Sequence, residues 1–342
     1  MTLYQPHFML VTGGAGFIGS NFIRYVLAQE PAIHIINLDK LTYAGSLDHL
    51  NNLPDPTRHH FVQGDITDKK LVMHLLSHHQ IDTIVHFAAE SHVDRSISSP
   101  ASFIETNIIG THTLLEAAQH LWLETEKRER TQCRFHHIST DEVYGSLTKE
   151  EPLFTEKNAY QPRSPYSASK ASSDHLVHAY YHTYGLPITL SHCSNNYGPY
   201  QHTEKFIPTI IRSCLALKPI PIYGQGQNIR DWLYVEDHCR GIMQIIKEGK
   251  IGETYNLGGD NEWENRKLAE YICAHMDKLF PHKTPHAHSL QCVTDRKGHD
   301  FRYAIDTSKI EKELNWKPQE SFESGITKTI QFYTSKFSNH SN

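Results

Sequence analysis

The sequence predicts an α/β protein in which a doubly wound parallel sheet is followed by a smaller, mixed domain. Apolar stretches of strand length alternate with helical stretches through the first half of the chain. A glycine-rich turn separates the first such strand from the first helix, and turn-forming residues become frequent after Cys193. The length of 342 residues suits about two domains. Together these observations indicate a Rossmann-type domain at the N-terminus.

The alternation can be followed element by element. Strands are expected at 8–12, 33–38, 60–63, 83–87, 135–139 and 188–192, and helices at about 17–27, 71–77, 101–129 and 166–184. The strands are apolar on both faces and are separated by helices. This pattern is typical of a parallel sheet that is covered on both sides.

The second half of the chain is less regular. A turn cluster occupies 195–199, and prolines and glycines interrupt the sequence after it. We expect residues 1–194 to form the first domain and 195–337 to form mainly the second, with 338–342 as a frayed tail. A helix at about 234–248 is expected to pack back onto the first sheet.

Composition disfavours several classes of function. The 33 Lys and Arg residues against 38 Asp and Glu give a formal net charge of −5, so the chain lacks the basic field that holds nucleic acid. No apolar run has the length of a membrane span, and no secretion signal is recognisable. The six cysteines form no CxxC pair and the 26 histidines show no metal-ligand spacing, so no metal is expected. These features predict a cytoplasmic protein that binds neither nucleic acid nor membrane.

The glycine-rich turn has the spacing of a dinucleotide-binding motif. Gly14, Gly16 and Gly19 satisfy GxGxxG between the first strand and the first helix, with Gly13 beside them. Glycines there permit a tight turn and let the N–H groups of a helix N-terminus approach a pyrophosphate. Asp39 ends the second strand twenty residues after Gly19, where its carboxylate can accept hydrogen bonds from a ribose diol.

The charge of Asp39 also selects between cofactors. A carboxylate repels a 2′-phosphate, and Lys40 is the only cation nearby, so NAD is expected and not NADP. Further residues follow the third and fourth strands, at the edge where open α/β sheets bind ligands. They are Asp65, Ile66, Ala88, Ala89 and Ser91.

Tyr166 and Lys170 stand at i and i+4, and therefore on one face of a predicted helix. A cation there can lower the pKa of the tyrosine, so that a phenolate is available to remove a hydroxyl proton. Together with the glycine motif and Thr140 at the end of the fifth strand, this spacing resembles the extended short-chain dehydrogenase/reductase family. The resemblance implies that Thr140, Tyr166 and Lys170 form an alcohol-oxidising site.

Two carboxyl residues, Asp141 and Glu142, follow Thr140. Neighbouring side chains of a strand point to opposite faces, so both carboxyls can serve one substrate only if the strand ends near Thr140 and the chain turns. Gly145 favours such a turn. The alternative is a pair of solvated acids on a loop.

Motifs along nearly the whole chain resemble the nucleotide-sugar 4,6-dehydratases of this family. They include TGGAGFIGSNF, LDKLTYAG, AAESHVDRSI, STDEVYG, YSASK, SNNYGPYQ, PIYGQGQNIRDWLYVEDH and DRKGHDFRYAID. The resemblance implies Asp141 as general acid, Glu142 as general base and Tyr166 as the base in hydride removal. The NAD-binding residues that it implies, here called the cofactor set, are Gly13, Gly16, Phe17, Ile18, Gly19, Asp39, Lys40, Leu41, Thr42, Asp65, Ile66, Ala88, Ala89, Ser91, Thr106, Tyr166, Lys170 and Asn196. The residues near the nucleotide sugar, here called the substrate set, are Ser91, His92, Thr140, Asn195, Lys205, Phe206, Pro221, Ile222, Tyr223, Arg230, Asn265, Arg296, His299 and Tyr303.

The implied reaction converts dTDP-glucose to dTDP-4-keto-6-deoxyglucose and water, a step in deoxysugar precursor synthesis of the rhamnose type. Oxidation at C4 makes a ketone that acidifies C5–H, Glu142 takes the C5 proton, and Asp141 protonates the departing C6 hydroxyl. The hydride then returns to C6, so NAD ends unchanged. Asp141 must hold a proton near neutrality, which requires a pKa raised by burial or by the charge of Glu142.

Some residues depart from the family pattern. Lys297 stands where proline is common, and His202, Thr203 and Phe206 replace commoner residues. Three alternatives therefore stay open: a sugar-nucleotide epimerase, which the adjacent carboxyls disfavour; a dehydratase that acts on a UDP- or CDP-sugar; and a catalytically silent NAD-binding scaffold or sensor, which the intact alcohol-oxidising residues disfavour.

The predicted helices at 101–129 and 166–184 carry many apolar residues. They are Ile104, Ile108, Leu114, Leu115, Ala118, Leu121, Trp122, Leu176, Val177 and Tyr180. This is more apolar surface than one sheet face needs, and the family resemblance implies a homodimer joined through these two helices of each subunit. The alternative is that all of these residues belong to the core.

Overall fold

The computed structural model describes residues 3–338 of the chain. Its strands, in chain order, are β1 (Phe8–Thr12), β2 (His34–Asp39), β3 (His59–Gln63), β4 (Thr83–His86), β5 (Arg134–Thr140), β6 (Ile188–Cys193), β7 (Asn195–Tyr197), β8 (Ile220–Tyr223), β9 (Ile229–Tyr234), β10 (Thr254–Leu257), β11 (Glu262–Glu264), β12 (Leu290–Val293) and β13 (Arg302–Tyr303). Its helices are α1 (Phe17–Gln29), α2 (Lys69–His78), α3 (Val93–Ser98), α4 (Ala101–Phe103), α5 (Thr111–Ala118), α6 (Pro165–Tyr184), α7 (Phe206–Leu215), α8 (Val235–Glu248), α9 (Asn265–Leu279), α10 (Ser308–Leu314) and α11 (Phe322–Ser338). The expected frayed tail lies, apart from Ser338, outside the described residues.

Seven strands form one parallel sheet in the order β10-β6-β5-β4-β1-β2-β3. The strand order reverses at β1, whose two neighbours are β2 and β4. Ligands of doubly wound sheets bind outside the carboxyl ends of the strands at such a reversal. The predicted Rossmann-type doubly wound parallel sheet is confirmed.

Helices cover both faces of this sheet because its strands are apolar on both sides. Helices α1, α8 and α10 pack over one face, and α2, α5 and α6 pack over the other. After residue 194 the chain returns to the sheet three times, first with α8 over one face, then with β10 at its edge and then with α10 over the same face as α8. The sequence pattern indicates only the first of these returns.

The helical run that begins at Ala101 is shorter than predicted. Two π-helical segments, Ile104–Gly110 and Gln119–Thr125, join α4 and α5 into one continuous run. The run ends at Thr125 and not near Glu129, because Lys127 takes a left-handed conformation with φ 53° that a helix cannot continue.

Most of the apolar residues on this run and on α6 belong to the core beneath them. Leu114, Leu115, Ala118, Leu121, Trp122 and Val177 are buried against the large sheet. Ile104 and Ile109 are 52% and 45% exposed. The excess of apolar surface is therefore smaller than the sequence pattern indicates.

The second part of the molecule has its own core. Strand β9 pairs antiparallel with β11 and parallel with β13 and β7, and β8 pairs with β12. Helices α7, α9 and α11 bury their apolar sides together with residues of β8 and β9. This part is mixed, as predicted. Within residues 3–338, no helix combines the length and the apolar composition that a membrane span requires.

Candidate active site

A cavity of about 300 Å³ opens at the carboxyl ends of the strands in the large sheet. It is bordered by the glycine turn after β1, the loops after β2, β3 and β4, the ends of β5 and β6, one face of α6, and the segment from Ser194 to Lys205. All five predicted catalytic residues border it, and so does every member of the cofactor set except Leu41. From the substrate set, the cavity is bordered by Ser91, Thr140, Asn195 and Lys205.

The glycine turn brings bare backbone to the cavity. Gly13 has φ +73°, and a Cβ there would lie 2.6 Å from the Ala88 amide nitrogen. A Cβ on Gly19 would lie 2.3 Å from the Gly13 carbonyl oxygen. Gly16 begins α1 with no side-chain cap from the described residues, so first-turn N–H groups remain free to meet an anion. The turn therefore fits a dinucleotide pyrophosphate.

Asp39 is held in place by two backbone amides. Its Oδ2 accepts from Ala15 N at 2.9 Å, and its Oδ1 accepts from Leu41 N at 2.8 Å. Burial raises the pKa of Asp39, and these two hydrogen bonds oppose the rise. Leu41 thus acts through its amide, with φ 58°, and its side chain does not border the cavity. Lys40, the cation next to Asp39 in the sequence, is paired with Asp65 at 2.5 Å.

Strand β5 ends at Thr140, as required for both carboxyls to face one cavity. The segment Asp141–Tyr144 forms a single 3₁₀ turn, and Gly145 leaves it at φ +97°. A Cβ on Gly145 would lie 2.7 Å from the Gln161 carbonyl oxygen, so the turn requires glycine in both conformation and space. Asp141 and Glu142 both border the cavity, and the alternative of solvated loop acids is excluded.

The two carboxyls have different surroundings. Asp141 is 2% exposed, and burial followed by the charge of Glu142 holds its pKa well above the usual value. Its Oδ2 has no hydrogen-bond partner among the described residues. Burial also raises the pKa of Glu142, but three nearby cations oppose that rise: Arg230, Lys205 and Arg296. This environment suits Asp141 to a proton donor and Glu142 to a proton acceptor.

Tyr166 and Lys170 lie on the inner face of α6. Burial, and then the charge of Glu142, raises the pKa of Tyr166 well above its usual value. Lys170 donates from Nζ to the Ile138 carbonyl at 2.7 Å, and burial lowers its pKa. Desolvation dominates the pKa of Tyr166 in the protein alone, and the lowering expected from Lys170 stays a prediction.

A buried polar cluster behind Lys170 was not predicted. Asp174 accepts from Ser139 Oγ at 2.7 Å and lies 3.2 Å from the imidazole nitrogens of both His137 and His192. Nζ of Lys170 lies 3.4 Å from His137 Nε2. Burial raises the pKa of Asp174, but the two histidines more than offset this and lower it. The i, i+4 spacing of Lys170 and Asp174 was a usable signal, whereas the histidines come from other strands.

The second part of the molecule places the remaining members of the substrate set outside the cavity wall. Arg296 is held by Asp94, with nitrogen to oxygen distances of 2.6 and 2.9 Å. Arg230 is buried over the Tyr303 ring at 4.2 Å and donates to backbone carbonyls. Tyr223 lies near the ion pair of Arg296 and Asp94, with its ring centroid 5.3 Å from the Arg296 guanidinium.

Several predicted substrate contacts have side chains turned elsewhere. Ile222 is 1% exposed and packs in the core between β8, β9, α7 and α9, so its side chain cannot reach a ligand. Phe206 packs on the same core, near Trp232. Because successive side chains of a strand point to opposite faces, Pro221 and Tyr223, which flank Ile222, are exposed on the other face of β8. His92, Asn265 and His299 are half-buried away from the cavity.

The cavity also includes residues that were not in the predicted sets. They are Leu38, Tyr43, Ala44, Gly45, Gly64, Phe87, Glu90, Ile138, Ser139, Cys193, Ser194, Gln201 and His202. Most of them adjoin a predicted residue in sequence, so position at a strand end was the available signal. Among the described residues, no group of three or more His, Cys, Asp or Glu side chains is arranged to hold a metal ion.

The chain is similar to known proteins in both sequence and structure. The family model described as GDP-mannose 4,6 dehydratase matches residues 10–329. The chain is 53% identical over 333 residues to a dTDP-glucose 4,6-dehydratase of Shigella flexneri, covering 95% of this chain and 92% of that protein. The crystal structure of a dTDP-glucose 4,6-dehydratase from Streptomyces venezuelae, with NAD bound, is 45% identical with a TM-score of 0.87, covering 97% of this chain and 98% of that one. The corresponding Bacillus anthracis enzyme in complex with NAD is 42% identical with a TM-score of 0.85, covering 97% of each chain.

Proposed function

The chain belongs to the GDP-mannose 4,6 dehydratase family, and from that premise we propose that it is a hydro-lyase that converts dTDP-glucose to dTDP-4-keto-6-deoxyglucose and water. The observation that carries the proposal is the meeting of Tyr166, Asp141 and Glu142 at one cavity. A simple alcohol dehydrogenation needs only the first of these groups. The product is a precursor for deoxysugar synthesis of the rhamnose type.

NAD is the cofactor, and it supplies the hydride acceptor for C4 and the hydride donor for C6. The glycine turn would hold its pyrophosphate, and Asp39 would accept from the ribose hydroxyls. The loops after β3 and β4 complete the binding cleft with Asp65, Ile66, Ala88 and Ala89. The carboxylate of Asp39 and the pairing of Lys40 favour NAD over NADP.

Three side chains of this protein move protons in the reaction. Tyr166 takes the proton of the C4 hydroxyl while C4 is oxidised. Glu142 takes the proton of C5, which the new ketone makes acidic, and later returns it. Asp141 gives its proton to the departing C6 hydroxyl, which leaves as water. The high proton affinity that burial confers on Asp141 supports this last assignment.

The nucleotide end of the substrate lies toward the second part of the molecule in this proposal. Lys205, which donates to the Ser91 carbonyl at 3.1 Å, and Asn195 border the cavity. Arg230 and Arg296 are the guanidinium groups expected to meet the diphosphate, which requires Arg296 to exchange its contact with Asp94 and Arg230 its contacts with backbone carbonyls. We therefore propose that residues 1–194, with the returning segment at about 234–248, bind NAD, and that 195–337 bind mainly the nucleotide sugar.

We also propose a homodimer joined by the helical run from Ala101 and by α6. Exposed Ile104 and Ile109, with Leu176 and Tyr180 half-buried, support a contact on this face. Light scattering at micromolar concentration is expected to give the mass of two chains, and a strictly monomeric mass would refute the dimer.

All six cysteines are free thiols and five are buried, which supports a reducing, cytoplasmic location.

The proposed function is tested by incubating the protein with dTDP-glucose, UDP-glucose and CDP-glucose and identifying the products by mass and NMR. We expect dTDP-glucose to be converted fastest, with the loss of one water and without free NADH. Calorimetry should show tighter binding of NAD than of NADP. A product of unchanged mass with inverted C4 would indicate an epimerase. Bound NAD with no product from any of the three sugars would indicate a scaffold or sensor.

A further inference from the structure

Two ion pairs join α3 to the second part of the molecule beside the cavity. Asp94 pairs with Arg296, with nitrogen to oxygen distances of 2.6 and 2.9 Å, and Arg95 pairs with Glu204 at 3.1 Å. Arg296 lies between β12 and β13, and Glu204 lies just before α7. The segment that follows β4 is therefore attached to two separate segments of the second part.

The pair of Asp94 and Arg296 has the geometry in which a guanidinium binds a phosphate. Nε of Arg296 donates to Oδ1 of Asp94, and Nη2 donates to Oδ2, so two N–H groups meet two oxygens. Carboxylates and phosphates both match this fork. Asp94 therefore occupies the edge of the guanidinium that best fits two oxygens of a diphosphate.

The carboxyl group of Asp94 is ionised at neutral pH. Burial raises the pKa of Asp94, but its contacts with Arg296 more than offset this and lower the pKa. The carboxylate consequently neutralises the guanidinium beside it and repels any second anion that approaches the same group. The residue that holds Arg296 thus opposes the ligand that Arg296 is expected to bind.

This ion pair can open without loss of the fold. The side chains of Arg296 and Asp94 are 22% and 36% exposed, so water can solvate both groups as they separate. The Tyr223 hydroxyl donates to Asp94 Oδ2 at 3.3 Å and can stay with it. The pair of Arg95 and Glu204 involves neither partner, so α3 keeps one attachment to the second part when Asp94 is released.

We propose that Asp94 competes with the substrate diphosphate for Arg296, holding the guanidinium until a diphosphate takes its place and binding it again as the product leaves. The proposal rests on the proposed function, in which Arg296 meets the diphosphate. One charge-assisted contact replaces another, so the release of Asp94 offsets part of the free energy of binding. Asp94 is in this view a residue that determines affinity and takes no part in the chemical steps.

Such competition suits a reaction in which the nucleotide diphosphate does not change. In the proposed reaction, the substrate and the product carry the same diphosphate and differ only in the sugar. A site that bound this shared portion very tightly would hold the product as firmly as the substrate. An internal carboxylate that can take Arg296 back lowers the affinity for both and favours release.

The test compares two variants of the NAD-loaded protein. Asp94→Asn removes the charge and nearly keeps the shape of the side chain. Glu204→Gln is the matched control, because it also removes a carboxylate beside the cavity and also breaks an ion pair of α3, but leaves Arg296 paired with Asp94. Calorimetry measures the binding of dTDP, and steady-state kinetics measure KM for dTDP-glucose.

Asp94→Asn should bind dTDP about three- to tenfold more tightly than the original protein, the usual worth of one partly exposed charge pair. KM for dTDP-glucose should fall by a similar factor, while the rate of C4 oxidation in a single turnover at saturating substrate stays the same. Glu204→Gln should change the affinity for dTDP by less than about twofold. Equal or weaker dTDP binding in Asp94→Asn would show that Asp94 only orients Arg296, and an equal gain in Glu204→Gln would show a general effect of charge. Either result would refute the proposal.

A crystal structure of the NAD-loaded protein with dTDP gives a direct second test. Nε and Nη2 of Arg296 should contact phosphate oxygens, and Asp94 should lie beyond hydrogen-bond distance from both. Asp94 still paired with Arg296 beside the bound diphosphate would refute the exchange. If Asp94→Asn does not fold, as judged by circular dichroism, Asp94→Ala takes its place. Absence of dTDP binding and of dehydration in the original protein would refute the proposed function, and this proposal with it, whereas the preceding outcomes refute this proposal alone.

Discussion

At the scale of single residues, the proposed chemistry depends on two adjacent carboxyl groups that the fold surrounds differently. Asp141 faces Glu142 and Asp231, both of which raise its proton affinity in addition to burial. Glu142 faces Arg230, Lys205 and Arg296. The residues proposed as acid and base are therefore neighbours in sequence with different surroundings, and the two should fail in different ways when either is replaced.

Replacement of Tyr166 by phenylalanine should abolish every step. Without the phenol, O4–H is not deprotonated, no ketone forms, and C5–H stays unacidified. Single-turnover absorbance should show no bound NADH, and incubation in heavy water should show no deuterium at C5. Dehydration by Tyr166→Phe at an appreciable rate would mean that oxidation uses another base.

Glu142→Gln should leave C4 oxidation largely intact and should slow dehydration by about 10² to 10⁴-fold, the usual worth of a positioned acid or base. Bound NADH should accumulate, because the sugar provides no acceptor at C6. Deuterium uptake at C5 should be suppressed as well. Full turnover with normal C5 deuterium would show that Glu142 is not the base.

Asp141→Asn is the matched comparison for Glu142→Gln, since both replace a carboxyl with an amide of the same shape. Dehydration should slow to a similar extent and bound NADH should again accumulate. Deuterium exchange at C5 should persist, because Glu142 remains in place. Loss of C5 exchange in Asp141→Asn together with its retention in Glu142→Gln would reverse the two assignments.

At the scale of elements, the glycine turn and α1 act together in ligand binding, because the turn determines how closely a ligand can approach the N-terminus of the helix. Gly16 and Gly19 contribute to it in different ways. A Cβ on Gly16 meets only the Gly13 carbonyl oxygen, at 3.2 Å, whereas on Gly19 it would approach the same atom to 2.3 Å. The first contact is tolerable, and the second requires the turn to move.

Gly16→Ala should therefore weaken NAD binding by about tenfold or more, because the methyl group occupies the approach to the helix N-terminus, while thermal stability changes little. Gly19→Ala should lower both NAD affinity and the melting temperature. Calorimetric titration of cofactor-free protein and thermal unfolding followed by circular dichroism check the pair. Equal NAD affinity in Gly16→Ala and the original protein would contradict this placement of the pyrophosphate.

A second element-scale feature is the junction of β5 with the 3₁₀ turn that follows. Every residue of β5 is buried, and the strand ends at Thr140, which caps the 3₁₀ turn Asp141–Tyr144. Because α6 packs against this strand, Lys170 and Asp174 meet the side chains of β5 and β6. The residues proposed for oxidation and those proposed for elimination therefore lie on elements that pack directly against each other.

At the scale of the whole molecule, several histidines are buried within the sheets and helices. His86, His136, His137 and His238 have pKa values lowered by burial. His238 is the simplest case, since burial alone lowers its pKa to about 3. Its Nδ1 donates to Asn196 Oδ1 at 2.9 Å, which binds α8 to the rim of the cavity.

These histidines should make the fold sensitive to acid. The folded pKa of His238 lies below the ordinary value of about 6.5, so between that pH and about 3 the unfolded chain binds a proton that the folded chain does not. As the pH decreases through this window, the free energy of unfolding should decrease by about 1.4 kcal/mol per pH unit because of this histidine. In His238→Gln this contribution to the pH dependence of the free energy of unfolding should be absent. Urea unfolding at neutral and mildly acidic pH measures the difference. Parallel pH dependences of the two proteins would contradict the prediction.

Local features of this protein follow from the sequence alone. The strand and helix alternation, the glycine turn, the end of β5 at Thr140 and the shared face of Tyr166 and Lys170 were all predictable. Each depends on residues a few positions apart, whose backbone preferences and side-chain periodicity act over one or two turns of helix or one length of strand.

Tertiary structure alone decided the properties that depend on residues far apart in the chain. Burial in the folded protein raised the pKa of Tyr166, and folding brought Asp174 next to His137 and His192. Folding also paired Arg296 with Asp94. The side chain of Ile222 became part of the core formed by α7, α9, α11, β8 and β9. The tertiary structure also returned β10 to the large sheet. Burial and Coulomb interactions are set by whatever lies within a few ångströms in space, and separation along the sequence carries no information about that distance.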